Sequence, residues 1–201
     1  VYNFNKEKKV NLSRLKKMTN KLYHRGPDGE GFYCNKNIGL GHRRLSIIDL
    51  ITGDQPMFND DKTISLVFNG EIYNYIELRK ELINKGHKFR SNSDTEVIIR
   101  SYEEWGVSCQ NKFNGMWSFA LWDGKQQQLF LSRDRIGEKP LNYGVYDNSI
   151  VFSSEIKSIF SYGFPKIIRP ELIELYLVLT NIPAPDTFYK NIFKLKPGHY
   201  I

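Results

Sequence analysis

The sequence predicts an α+β fold built on antiparallel sheets. Three observations carry this expectation. Apolar runs come in adjacent pairs joined by turn-forming residues, as in FNGMWSFALWD (113–123) followed by QLFLSRDR (128–135). Segments with helical spacing stand apart from these pairs and do not alternate with them strand by strand. The chain has 201 residues, 40% of them hydrophobic and 25% charged, enough for one large soluble core.

Each element has its own local reason. In LSRLKKMTNKLYH (12–24), Leu12, Leu15, Met18 (or Thr19) and Leu22 recur at helical spacing, with the lysines outward. HRGPDGEG (24–31) ends that helix through its glycines and proline. GLGHRRLSIIDL (39–50) is β-rich, TGDQPM (52–57) is a loop, and TISLVFNG (63–70) reads as a buried strand. YIELRKELINKG (75–86) is a second helix, with Ile76, Leu78, Leu82 and Ile83 turned to the core and Gly86 just past its end. SDTEVIIRSYEEWG (93–106) is a third, with a capping box from Ser93 to Glu96 and Gly106 as its stop. Asp123-Gly124 and Asp147-Asn148 mark hairpin turns, the second joining LNYGVYD (141–147) to SIVFSSEI (149–156). PELIELYLVL (170–179) is a late helix with Pro170 in its first turn.

Composition narrows the function. The net charge is +7, with the excess concentrated between Lys6 and Arg25. Without a zinc-finger, helix-turn-helix or RNA-recognition pattern, that charge reads as a solvated helix face, and no nucleic-acid partner is expected. No apolar run approaches the roughly 18 residues of a membrane span, and no secretory leader is visible. Cys34 and Cys109 lie in no metal or redox spacing and read as free thiols of a cytoplasmic protein. His24, His42, His87 and His199 have no metal-ligand spacing either. His87 reads as a helix-terminus residue, and Cys34 in FYCNKN as a half-buried thiol with no neighbouring base.

FNGEIYNY (68–75) poses the chemical question. Asn69-Gly70 is the strongest dipeptide signal for a two-residue hairpin. The same pair offers a side-chain amide and an unshielded backbone N–H, two donors able to cradle an oxyanion. Arg44 reads either as a surface arginine in HRRL or as a carboxylate fork, and Asp94 either as a helix-start residue or as an anion for a cationic ligand.

HRGPDGEG, GHRRLSIIDL, GDQP, FNGEIYNY, SDTEVI, FNGMWSFALWD and RDRIGEKPL stand in this order along the chain. Together they resemble the N-terminal glutaminase domain of glutamine-dependent asparagine synthetases, a class II glutamine amidotransferase of the N-terminal nucleophile hydrolase fold. The resemblance runs over the whole chain. It implies a four-layer αββα sandwich, two antiparallel sheets between helical layers. It implies that Arg44 binds the glutamine α-carboxylate, that Leu45, Ser46, Ile47 and Ile48 line the same pocket, and that Asp94 binds the α-ammonium. Asn69 and Gly70 become the oxyanion hole, and Glu71 completes the substrate loop. Arg133, Asp134 and Arg135 are then a buried or interfacial ion cluster outside catalysis. Asn142-Tyr143 departs from the family's aromatic pair after KPL.

The resemblance also implies parts beyond these residues. The family's nucleophile is an N-terminal cysteine in an opening like Cys-Gly-Ile-x-Gly, followed by a stretch like VYNF, with which this chain begins. About five residues, the nucleophile among them, are therefore expected before Val1, and the chain without them is expected to be inactive. Residues 1–165 are expected to form the glutaminase domain. Residues 166–201 are expected to close it and begin the linker to an ATP-dependent synthetase domain that amidates aspartate. Glutamine and that domain are the expected partners, and a homodimer is left open. No cofactor is expected in the glutaminase domain; ATP and Mg2+ belong to the second. The alternatives are a non-catalytic glutamine-binding or scaffolding module, and the glutaminase of a related synthetase that amidates a different carboxylate.

Overall fold

The structure, a computed structural model, describes residues 1–45 and 53–201. In chain order its regular elements are β1 (Tyr2–Asn3), α1 (Leu12–Asn20), β2 (Gly29–Asn35), β3 (Ile38–Arg44), β4 (Met57–Phe58), β5 (Ile64–Ile72), α2 (Tyr75–Asn84) and α3 (Asp94–Trp105). They continue with β6 (Gly115–Asp123), β7 (Gln128–Arg133), β8 (Asn142–Tyr146), β9 (Ser149–Ser153), α4 (Ile156–Tyr162), α5 (Ile173–Leu179) and β10 (Ile192–Lys194). The described strands make two sheets, one ordered β10-β8-β9-β1-β3-β2 and one ordered β4-β5-β6-β7. Every pairing is antiparallel.

Strand alternation builds the layers, because successive side chains point to opposite faces. Along β5 and β6, Leu66, Phe68, Trp117, Phe119 and Leu121 pack with Leu78 and Leu82 of α2 and Val97, Ile98 and Ile99 of α3. The intervening Val67, Ala120 and Trp122 face the other sheet and meet Ile38, Leu40, Ile150 and Phe152 there. Val151, pointing the opposite way from β9, packs with Leu15 and Met18 of α1 and Ile159 of α4. The result is helix, sheet, sheet, helix, the four-layer α+β sandwich expected.

Several local expectations need correction. Asn69-Gly70 is no turn: both lie inside β5, opposite Ser118 and Trp117 of β6, and the chain runs straight through to Ile72. The β6–β7 connection is not a two-residue turn at Asp123-Gly124 but runs over residues 124–127, with Asp123 Oδ1 accepting the Lys125 and Gln126 N–H groups. Leu12 is exposed on α1, and Ile76 and Ile83, expected inward, are each 50% exposed on α2. The ten-residue α2 buries Leu78 and Leu82, with Tyr75 partly buried against the same core. Ser93 does cap α3, accepting the Thr95 N–H, but Glu96 reaches past the capping box to the Arg90 and Ser91 N–H groups and to Arg100.

The RDRIGEKPL segment is held by main-chain bonds and not by an ion cluster. Asp134 is fully buried and accepts N–H bonds from Trp117, Ile136, Glu138 and Lys139. Arg133 donates to the carbonyls of Lys139, Leu195 and Gly137, and Arg135 to those of Phe113 and Asn111. Buried backbone groups demand partners, and these three charged side chains supply them. No helix among the described residues is long and apolar enough to cross a membrane.

Candidate active site

A cavity of about 480 Å³ opens where the ends of β3 and β5 and the start of α3 converge. Arg44, Leu45, Asn69, Gly70, Glu71 and Asp94 all line it. Ser46, Ile47 and Ile48 lie outside the described residues. The cavity also takes in His24, Arg25, His42, Gln55 and Lys139. The sequence motifs HRGPDGEG, GHRRLSIIDL, GDQP and RDRIGEKPL contain these five, but nothing in their spacing assigned them a role.

β5 sets the geometry of the donors. Ile64, Phe68 and Ile72 turn their backbone groups away from β6: Ile64 bonds Asn59, Phe68 bonds Gln55 and His42, and the Ile72 N–H bonds Asp94 Oδ2 at 3.0 Å. Antiparallel pairing alternates in this way residue by residue, so the Gly70 N–H points off the same edge, toward the cavity. Gly70 has φ of 155°, and a Cβ there would lie 2.1 Å from the Met116 carbonyl oxygen and 2.8 Å from Trp117 Cα. Only glycine fits. Beside it, Asn69 Nδ2 is buried and has no hydrogen-bond partner among the described residues. A buried amide donor left unsatisfied is costly, and it suits a developing negative charge in the cavity.

The charged groups sit on either side. Asp94 is 4% exposed and begins α3 directly after the Ser93 cap. Burial pushes its carboxyl up, the Ile72 and Thr95 N–H groups oppose that shift, and nearby Glu71 adds to it. A cation bound against Asp94 would relieve this penalty. Arg44 ends β3, its side chain largely buried, and its guanidinium pairs with exposed Asp54 at 2.9 Å. His42, two residues earlier on the same face of β3, donates from Nε2 to the Phe68 carbonyl at 3.1 Å. Burial first, and Arg44 besides, lower its pKa to about 4, so the ring is neutral at physiological pH.

A second, narrower cavity of about 100 Å³ adjoins the first and shares Arg25, His42, Arg43, Phe68 and Asn69 with it. It lies between Gly41 to Arg43 of β3 and Phe152 to Ser154 at the end of β9. Those two strands are separated by β1, which is two residues long while its neighbours run on. Cys34 and Cys109 are free and lie away from both cavities. Cys34 is exposed and Cys109 is buried, with its thiol pushed up to about 12 by desolvation. Among the described residues no cluster of His, Cys, Asp or Glu could hold a metal.

The four-layer αββα sandwich, with a polar cavity where β3, β5 and α3 meet, is the fold of the N-terminal nucleophile hydrolases. The chain belongs to the glutamine amidotransferase domain family, whose sequence model matches residues 1–201. It is 39% identical to asparagine synthetase [glutamine-hydrolyzing] 1 of Bacillus subtilis over 92% of this chain and 29% of that protein. It is 42% identical to putative asparagine synthetase [glutamine-hydrolyzing] 2 of Methanocaldococcus jannaschii over 94% of this chain and 40% of that one. The chain thus spans well under half the length of these curated relatives, and it is homologous to their N-terminal domain. The fold is shared with glutamine phosphoribosylpyrophosphate amidotransferase from B. subtilis, with a TM-score of 0.66, 19% identity, and coverage of 78% of this chain and 42% of that one.

Proposed function

We propose that this domain hydrolyses glutamine to glutamate and ammonia in the 480 Å³ cavity. The observation that carries the reading is the unpartnered, buried Asn69 Nδ2 beside the outward-pointing Gly70 N–H. These two donors receive the oxyanion as a thiolate attacks the glutamine side-chain amide. Arg44 exchanges Asp54 for the α-carboxylate, which suits its bidentate fork. Asp94 takes the α-ammonium, with Leu45 and Glu71 completing the walls. By this reading Ser46, Ile47 and Ile48 belong to the same substrate loop.

The nucleophile in this proposal is a cysteine at the start of a strand that continues β1 backwards. Val1 exchanges both backbone hydrogen bonds with Gly39 of β3. Continuing that register upstream by about five residues reaches the level of Arg44, at the cavity. The 100 Å³ slot between β3 and β9 lies along that path. The cysteine thiolate attacks the amide carbon, and its own α-amino group takes the thiol proton and passes it to the departing ammonia. Water then cleaves the γ-glutamyl thioester. Cys34 and Cys109 lack a free α-amine of their own, so neither serves as the nucleophile in this mechanism.

In the same reading a second domain uses ATP and Mg2+ to activate aspartate for the released ammonia, and the domain itself needs no cofactor. The apolar surface of α5 supports a covering partner: Leu177 and Val178 are 72% and 79% exposed, and no residue of α5 is buried. Two free cysteines favour a cytoplasmic setting. The test is glutamate release from glutamine by the chain extended upstream to its cysteine, against the same chain with serine there. Release only from the cysteine form supports the proposal. Equal release from both, or none from either, ends it.

A further inference from the structure

Beyond Leu66, no described strand pairs with the outer edge of β5, the strand that carries Asn69 and Gly70. β4 pairs with β5 only at Leu66 and Ser65, and the next outward-facing residue, Phe68, lies beyond its reach. Two side chains replace the missing neighbour. Gln55 Oε1 accepts the Phe68 N–H at 2.6 Å, and His42 Nε2 donates to the Phe68 carbonyl at 3.1 Å. Both backbone groups of the residue immediately before Asn69-Gly70 are therefore satisfied from 13 and 26 residues away.

We infer that His42 and Gln55 are positioning residues that act as a surrogate strand, fixing Asn69 and Gly70 at the height and tilt the oxyanion needs. The inference rests on the glutaminase reading of the cavity and deepens it. A mid-strand carbonyl left unpaired on an open edge is free to tilt, and a tilt of Phe68 passes directly into the Asn69 peptide. Donation to a carbonyl requires the Nε2–H tautomer of His42. The ring is anchored on β3 of one sheet and its acceptor on β5 of the other, so the bond also sets the sheets' separation at the cavity. Gln55 is seated with equal closeness: a Cβ on Gly31 of β2 would lie 2.0 Å from the Gln55 carbonyl oxygen. The last glycine of HRGPDGEG and the glutamine of GDQP are thus one device.

The experiment uses the chain extended upstream to the proposed cysteine. His42→Phe and Gln55→Leu keep bulk and remove the bonds; His42→Gln and Gln55→Glu keep a donor or acceptor at a similar reach. The expected result is a roughly tenfold fall in kcat for the first pair, with KM within about twofold, and substantial recovery in the second pair. Amide exchange across residues 67–71, followed by mass spectrometry, is expected to quicken in the first pair alone. Unchanged kcat and unchanged exchange in His42→Phe and Gln55→Leu would overturn the clamp, as would a loss the conservative variants fail to recover. If the parent chain itself releases no glutamate, the glutaminase reading falls, and the exchange data alone decide whether the clamp exists.

Discussion

Gly70→Ala probes the site where the fold and the chemistry constrain the same atom. The new Cβ meets the Met116 carbonyl oxygen at 2.1 Å, Trp117 Cα at 2.8 Å and Phe68 Cε2 at 2.9 Å. Two of these are backbone atoms on β6 or its start, which cannot swing aside as a side-chain tip can. The φ of 155° adds conformational strain of about 1–3 kcal/mol. Overpacking a close-packed contact adds a similar amount, again about 1–3 kcal/mol. The expected loss is therefore about 2–6 kcal/mol, a large share of the ~5–15 kcal/mol that holds a typical domain. For a chain of this size that corresponds to a fall in Tm of roughly 5–20 °C. Gly86 supplies the control: its φ is 97° but a Cβ there meets nothing within 4 Å, so Gly86→Ala carries strain without overlap. Thermal unfolding of the two variants beside the parent separates the contributions. A Gly70→Ala protein melting within about 2 °C of the parent would show that β5 can open from β6 at the cavity, and the case for Gly70 as a fixed donor would collapse.

Three further substitutions address the pocket. Asn69→Ala in the chain carrying its nucleophile is expected to lower kcat by about two to three orders of magnitude with little change in KM, since the amide donor acts on the oxyanion and not on the ground state; steady-state kinetics that leave kcat unmoved exclude it from the hole. Arg44→Ala is expected to raise KM by at least about tenfold through loss of a charge-assisted fork, and a KM within twofold or so of the parent removes the carboxylate clamp. Asp94→Asn is expected to weaken glutamine binding while raising stability at neutral pH. Burial holds the Asp94 pKa above its unfolded value, so the native state binds the proton more tightly and stability declines as pH rises through the folded pKa. The asparagine cannot ionise and escapes that decline; denaturant titrations at acidic and neutral pH that show no gain over the parent at neutral pH contradict the assignment.

Much of this architecture was legible in the chain because alternation and helical spacing are local. The β8–β9 turn was read correctly from Asp147-Asn148, both of which adopt positive φ. Asn69-Gly70 carries an equally strong local signal for a turn, but the nine-residue pairing of β5 with β6 outweighs a dipeptide preference. The expectation that Ile76 and Ile83 face inward rests on their apolar character alone; α2 packs through one edge, and a propensity count cannot locate that edge. The family motifs brought Arg44, Asn69, Gly70, Glu71 and Asp94 to one cavity. The roles of His42 and Gln55 were not legible, because each acts through a backbone atom of Phe68 that carries no side-chain signature. The ion cluster expected at Arg133 to Arg135 failed for the same reason: the partners are main-chain groups.

Helix α5 has a practical consequence for anyone handling this domain. Its seven residues, IELYLVL, carry five aliphatic side chains and a tyrosine, and none is withdrawn from solvent. Contiguous oily surface of this kind promotes self-association as concentration rises. Preparations of the domain by itself are expected to scatter more light as concentration rises. A short series replacing Leu177 and Val178 with lysine or glutamate should yield material that stays in solution with its 480 Å³ cavity untouched.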